Sequence, residues 1–207
     1  MREGAQGLVE AAHALAALEL VTAFGHVSTR VGDHILITPA ADLADVDESS
    51  LVEIAYDVTA LPPGAPAESW IHLALYRARP DVAAIARAQP PAAFAIAEEL
   101  RPVHGQACWL GRTVPVHDDA RLLRRRDLAD AAARSLPEGE ALILRGNGAV
   151  TVGASPALAV ARMWLLQGNC GLPRGKCLTD DEIDSWRAVQ DELLPRLWRH
   201  LLKKATG

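Results

Sequence analysis

In this 207-residue sequence Glu68 and His72, a carboxylate and an imidazole four residues apart, and Arg87 and Gln89, a guanidinium and an amide two apart, are side chains whose types and spacing could do chemistry. At i and i+4, Glu68 and His72 share one face of a helix. His26 lies in Gly25-His26-Val27-Ser28, shortly before Arg30, and Asn147 directly precedes Gly148. His26 and Glu68 are titratable groups of the kind that move protons. Arg87 is permanently protonated, and its forked N–H donors match a carboxylate or an enolate; in a dry pocket such a group stabilises developing negative charge. Gln89 and Asn147 can orient substrate oxygens through hydrogen bonds. Trp70, beside Glu68, and Trp109 can wall a pocket for a planar substrate.

The elements that must position these groups follow from period and punctuation. Residues 4–22 place Leu8, Ala12, Leu15 and Leu18 at helical spacing, and Gly25 is expected to break that helix. Segments 26–31 and 34–37 read as short strands joined at Gly32-Asp33, with a further strand over 51–56. A stiff Pro-rich loop leads into a helix over 68–78, stopped by Pro80. Residues 82–88 form an apolar run of strand length, and Pro90-Pro91 fits the first turn of a following helix. Short strands are expected near 103–109 and 113–116, a helix over 126–136, and buried strands at 141–144 and 149–152. Ser155-Pro156 opens a helix to about residue 169. Thr179-x-x-Glu182 is a capping box for a last helix that Pro195 should bend. The pattern predicts one domain over residues 1–207, of the α/β class: three layers, α/β/α, with a mixed, largely antiparallel central sheet.

Composition bounds the partners. With 21 Lys and Arg against 26 Asp and Glu, the net charge of -5 argues against a nucleic-acid surface. The run Leu122-Leu123-Arg124-Arg125-Arg126-Asp127 reads as a solvated helix entry, with contact to an anionic ligand or a neighbouring subunit as the other reading. No apolar stretch is long enough to span a bilayer and no signal pattern opens the chain, so no membrane partner and a cytoplasmic location are expected. Cys108, Cys170 and Cys177, odd in number, suit a reducing compartment and offer no disulfide framework.

Gly25-His26-Val27-Ser28, Ile37-Thr38-Pro39, Glu68-x-x-x-His72, Arg79-Pro80-Asp81-Val82 and Gly148-Ala149-Val150 occur in that order along the chain. Together they resemble the class II aldolase/adducin family, in the branch with Gly-His-Val-Ser that includes hydroxyaromatic-acid decarboxylase-like members. The resemblance implies that a strand ending His-x-His-Pro and a later His-Gly supply three imidazoles to one divalent cation. Such an ion acts as a Lewis acid on the oxyanion formed as a C–C bond breaks. It also implies an acid/base role for Glu68, a substrate-lining role for residues 25–30, a supporting role behind the site for His72, and a homotetramer with the site at a subunit interface. In this chain the three ligand positions hold Arg87, Gln89 and Asn147, and the nineteen residues from Glu68 to Arg87 count without a gap. Arg87 has no lone pair to donate and repels a cation, so neither a metal in that position nor any other cofactor is expected. Ala40 replaces a Gly that approaches ligand closely. Ala67 stands where sugar-phosphate aldolases carry the second of two serines, which argues against a phosphate cradle.

The leading expectation is a metal-independent lyase in a biosynthetic role, acting on a small carboxylated keto or hydroxy substrate, aromatic ones included. C–C cleavage or decarboxylation would pass through an enolate-like intermediate, and dehydration, tautomerisation or cyclisation of that intermediate is chemically close. Glu68, His26 and Arg87 are the expected catalytic groups, with Glu68 as general acid/base and His26 as substrate-orienting group or second proton carrier. Ser28, Arg30, Trp70, His72, Gln89 and Asn147 are expected to bind substrate. Two rivals stand beside this. One is a non-catalytic binding or scaffold protein whose Arg87 and Glu68 pair with each other and fill the site. The other is a lyase with a metal relocated to histidines such as His26, His72 and His104.

Overall fold

The computed structural model describes residues 2–172 and 175–207. Its strands are β1 (His26–Val31), β2 (His34–Ile37), β3 (Val52–Ala55), β4 (Ala84–Ala88), β5 (Val116–His117), β6 (Ala141–Leu144) and β7 (Gly148–Gly153). They form one sheet in the order β3-β2-β1-β4-β7-β6-β5. Neighbours are antiparallel except β5 and β6, which are parallel. The helices are α1 (Arg2–Ala17), α2 (Ser69–Ala78), α3 (Arg126–Arg134), α4 (Pro156–Gly171), α5 (Asp180–Arg187) and α6 (Gln190–Thr206).

Alternation along each strand separates two cores. Ile35, Ile37, Ile85, Leu142 and Val150 pack with Ile71, Leu75 and Leu128 from α2 and α3. Val27, Ala86, Ala88, Ile143 and Ala149 pack on the other side with Leu8, Leu15, Val160, Leu166 and Leu201 from α1, α4 and α6. This is the three-layer α/β/α arrangement with a largely antiparallel sheet. Each fully buried Leu or Ile contributes about 1.5–3 kcal/mol, so both layers are held chiefly by apolar burial. β4 sits mid-sheet, between β1 and β7, and all five of its residues are buried. Any polar side chain on β4 is therefore carried deep into the molecule.

Several elements differ from expectation. α1 ends at Ala17, well before Gly25, because Glu19 adopts a left-handed φ of 56°. Leu20 N–H then bonds Leu15 C=O at 3.0 Å and Glu19 N–H bonds Ala16 C=O at 3.0 Å, a Schellman closure without its usual glycine. The helix expected after Pro90 is only a 3-10 turn over Pro91–Ala95, whose first-turn Ala92 N–H is capped by the Gln167 side chain at 3.0 Å. Residues 105–110 form a 3-10 helix in place of a strand. There the carbonyls of Cys108 and Trp109 accept from Arg187 at 2.9 Å and Arg162 at 3.0 Å, leaving no ladder to join. The Trp109 indole donates to the Trp186 carbonyl at 2.9 Å, so this ring is structural and does not wall a pocket. The last helix divides into α5 and α6 at residues 188–189, ahead of Pro195, which lies inside α6. Among the described residues no helix is long and apolar enough to cross a membrane.

Candidate functional site

A match of two periods builds one half of the site. Alternate residues on β1, His26, Ser28 and Arg30, lie about 6.6 Å apart along the strand. Residues four apart along α2, Glu68 at its N-cap followed by His72 and Tyr76, advance by about 6 Å. The two rows therefore meet rung by rung. His26 Nδ1 lies 2.7 Å from His72 Nε2, and His72 Nδ1 lies 2.6 Å from Ser28 Oγ. Ser28 Oγ is in turn 2.9 Å from the Tyr76 hydroxyl. All four side chains are buried. Arg30 closes the row, donating to the Tyr76 carbonyl at 2.8 Å while its guanidinium carbon sits 4.8 Å from the Tyr76 ring centre.

Arg87 builds the other half. It pairs in register with His26 across β1 and β4, so both side chains leave the same face of the sheet. The Arg87 side chain is 0% exposed. Its Nη2 donates to Glu68 Oε2 at 3.0 Å and to Asn147 Oδ1 at 2.9 Å, and its Nη1 donates to the Ala88 carbonyl at 2.9 Å. With its amide oriented to satisfy both ends, Gln89 accepts from Arg87 Nη1 at 2.8 Å and donates to the Phe24 carbonyl. Glu68 Oε1 accepts from the Leu123 backbone at 2.9 Å and from Asn147 Nδ2 at 3.3 Å. Glu68 makes no capping bond to α2, because its carboxylate is turned to the guanidinium. Arg87 Nε is the one buried side-chain polar atom without a partner among the described residues. Gly148 makes this convergence possible: at φ 91°, a Cβ there would overlap the Ala88 carbonyl and sit 2.9 Å from Gln89 Cα. Without a side chain, β7 starts close against β4 and delivers Asn147 to Arg87.

Burial dominates the electrostatics. It depresses His72 to about 3 together with the nearby Arg87 charge, the smaller cause. His26 is also held well below its ordinary value, by burial first, then His72, then Arg87. Burial lowers the Arg87 guanidinium and the Glu68 carboxylate opposes that. Both imidazoles are thus neutral at pH 7, and a stability prediction follows from the sign. Above the ordinary histidine value of 6.5, folded and unfolded chains hold them alike. Below it the unfolded chain takes up protons that the folded state refuses, so stability falls with falling pH. The expected loss is about 2 kcal/mol between pH 7 and 5.5 from the two histidines together. Urea midpoints across that range check it, and His72→Asn should flatten the slope; an equal slope in that variant contradicts the assignment.

A cavity of about 660 Å³ opens beside these groups, with His26, Glu68, Arg87, Gln89 and Asn147 in its wall. Phe24, Phe94, Leu122 and Arg124 border it and are exposed, Phe24 at 71%. Ala40 and Ala67 also line it. Four expected substrate contacts lie outside the lining. Ser28 and His72 are sealed within the hydrogen-bonded row. Arg30 is spent on the carbonyls of Tyr76, Arg79 and Val82, and Trp70 packs under Arg126 at 5.1 Å. Two parts of the site carry no distinctive sequence signal: Tyr76, marked only by its eight-residue offset from Glu68, and the apolar rim. The basic run splits, with Arg124 at the cavity and Arg126 over Trp70.

The donor set does not fit a divalent cation. Arg87 offers no lone pair, and Asn147 Oδ1 is already an acceptor for it. Among the described residues no group of three or more His, Cys, Asp or Glu can hold a metal ion. Both ring nitrogens of His72 are engaged, by His26 at 2.7 Å and Ser28 at 2.6 Å, which removes it as a ligand of a relocated metal, and His104 belongs to no such group.

Residues 6–172 match the sequence family described as the class II aldolase and adducin N-terminal domain. The chain is 28% identical to a 3,4-dihydroxyphthalate decarboxylase of Rhodococcus jostii, over 98% of this chain and 96% of that protein. It is 32% identical to alpha-adducin of Rattus norvegicus, over 64% of this chain and 20% of that one. Among solved structures, L-fuculose-1-phosphate aldolase of Thermus thermophilus superposes with a TM-score of 0.76 at 25% identity, covering 97% of each chain. An aldolase II superfamily protein of Pseudomonas syringae gives 0.79 at 21% identity, over 98% of this chain and 92% of that one, and shares the fold.

Proposed function

The chain belongs to the class II aldolase and adducin family, and from that premise we propose that its cavity is a lyase site working without a divalent cation. The substrate is a small aromatic carboxylate, and the reaction is decarboxylation or a related C–C cleavage through an enolate-like intermediate. One observation carries this reading: a desolvated guanidinium, Arg87, stands in the cavity wall bonded to Glu68, Asn147 and Gln89. Its charge is permanent and lies where negative charge would develop on the substrate. Being fully buried, Arg87 acts through its field and through the amides it orients. Contact falls to the groups that reach the cavity: His26, Glu68 (12% exposed) and Arg124 at the border. Phe24, Phe94 and Leu122 offer flat apolar surface for a ring, and Arg124 a cation for its carboxylate. The similarity to a 3,4-dihydroxyphthalate decarboxylase supports the same substrate class. The exposed apolar rim also supports a homo-oligomer, the tetramer implied by the family resemblance, with the cavity at a subunit boundary.

A second reading, a non-catalytic binding or scaffold protein, is favoured by the Arg87–Glu68 contact at 3.0 Å, which occupies both groups with each other. One assay separates the two. Protein is dialysed against a chelator, its metal content is measured, and 3,4-dihydroxyphthalate is supplied as the probe while released carbon dioxide is followed. Turnover with metal far below one per chain is the expected result. Turnover that returns only with added metal overturns the metal-free mechanism. Calorimetric binding of the probe with no carbon dioxide released establishes the second reading.

A further inference from the structure

The row of hydrogen bonds behind the cavity has a direction, and that direction decides what His26 offers a ligand. Its far end is the Tyr76 hydroxyl, whose one hydrogen-bonding neighbour among the described residues is Ser28 Oγ at 2.9 Å. If Tyr76 donates to Ser28, the Ser28 proton must go to His72 Nδ1, 2.6 Å away. His72 then carries its own proton on Nε2 and donates it to His26 Nδ1, 2.7 Å away. His26 is left with its proton on Nε2, the ring nitrogen that has no protein partner among the described residues, in a residue that lines the cavity. Run backwards, each bond reverses and the Tyr76 O–H ends with no acceptor in a buried place. An unmet buried hydroxyl disfavours that arrangement by about ten to one or more.

We propose that Tyr76, Ser28 and His72 are positioning residues that fix His26 in its Nε2–H tautomer, presenting a permanent neutral hydrogen-bond donor to an oxyanion of the ligand. The assignment of an oxyanion rests on the lyase reading above; the tautomer does not. The same row makes His26 a donor that keeps its proton. Were His26 to give up its Nε2 proton, His72 would replace it at Nδ1, Ser28 would reprotonate His72, and Tyr76 would reprotonate Ser28, ending as a buried phenolate. Burial pushes the Tyr76 phenol far above its ordinary value, which works against that transfer, and the row offers no other proton source beyond Tyr76 among the described residues. Arg30, whose guanidinium carbon lies 4.8 Å from the Tyr76 ring centre, holds this end of the row in place. His26 therefore stabilises charge without moving a proton, which replaces the role of second proton carrier expected from sequence.

Nitrogen NMR on the full chain labelled with 15N-histidine reads the tautomer in the resting protein without substrate. The expected spectrum at pH 7.5 shows a protonated-type signal for His26 Nε2 and an unprotonated-type signal for Nδ1. A proton on Nδ1, or an imidazolium, overturns the proposal. Tyr76→Phe and Ser28→Ala, each removing one link, are expected to shift both His26 signals toward averaged values as the tautomers mix. Unchanged His26 signals in whichever variant folds overturn the role of the row. Because the spectrum needs no turnover, it can fail while catalysis stands, or succeed in a chain that proves inactive.

Discussion

Arg87→Met is expected to destabilise the fold by about 3–5 kcal/mol, because it leaves a largely buried carboxylate without its counter-charge. Glu68 is 12% exposed and receives one of its bonds from Arg87 Nη2 at 3.0 Å. The substitution also strips donors from Asn147 Oδ1, the Ala88 carbonyl and Gln89, all grouped round one guanidinium. Against a total stability of about 5–15 kcal/mol, the loss is a large fraction, and for a chain of this size it lowers Tm by roughly 10 °C. Glu68→Gln in the same chain removes the stranded charge, so the double variant should recover much of the loss. A double-mutant cycle by urea unfolding measures the coupling. A single variant within about 1 kcal/mol of the parent shows that the pair does not hold the site together.

Arg87→His combined with Gln89→His and Asn147→His is expected to turn a chain that retains almost no divalent metal into one that retains about one ion each. The geometry for it is present. Arg87 and Gln89 are two residues apart along an extended segment, so they leave the same face. Asn147 is delivered to them by the close approach of β7 at Gly148. Three neutral imidazoles would stand beside the Glu68 carboxylate, where a guanidinium now fills the space. Metal should also raise Tm by linkage, by about 2.7 kcal/mol of stabilisation at a hundredfold excess over the dissociation constant. Elemental analysis after dialysis, with melting curves with and without zinc, reads both effects. A folded triple variant that retains no metal means that these positions do not converge as a ligand set.

The architecture was readable because its signals are local and repeated. The Gly32-Asp33 turn signal marked β1 and β2 at their observed ends, an apolar run marked β6, and capping residues marked α4 and α5. Misses came from one local and one long-range cause. Glu19 taking a glycine's place, and two arginines taking the carbonyls of residues 108 and 109, leave no trace in spacing. For the site, the motifs shared with the family, and the residues standing in its metal-ligand positions, pointed to His26, Glu68, Arg87, Gln89 and Asn147, and the cavity gathers all five. What they missed is depth: Ser28 and His72 carry suitable groups but are sealed behind His26. Tyr76 escaped notice because a buried tyrosine on an amphipathic helix looks like any other core residue.

The bond from the Leu123 backbone to Glu68 Oε1 at 2.9 Å joins two jobs in one residue. Leu122 and Arg124, on either side of Leu123, border the entrance, while Glu68 belongs to the charged cluster within. The shape of the doorway is therefore pleiotropic with the chemistry of the interior. A substitution at Glu68 that removes this acceptor is therefore expected to move the border of the cavity together with the charged cluster inside it.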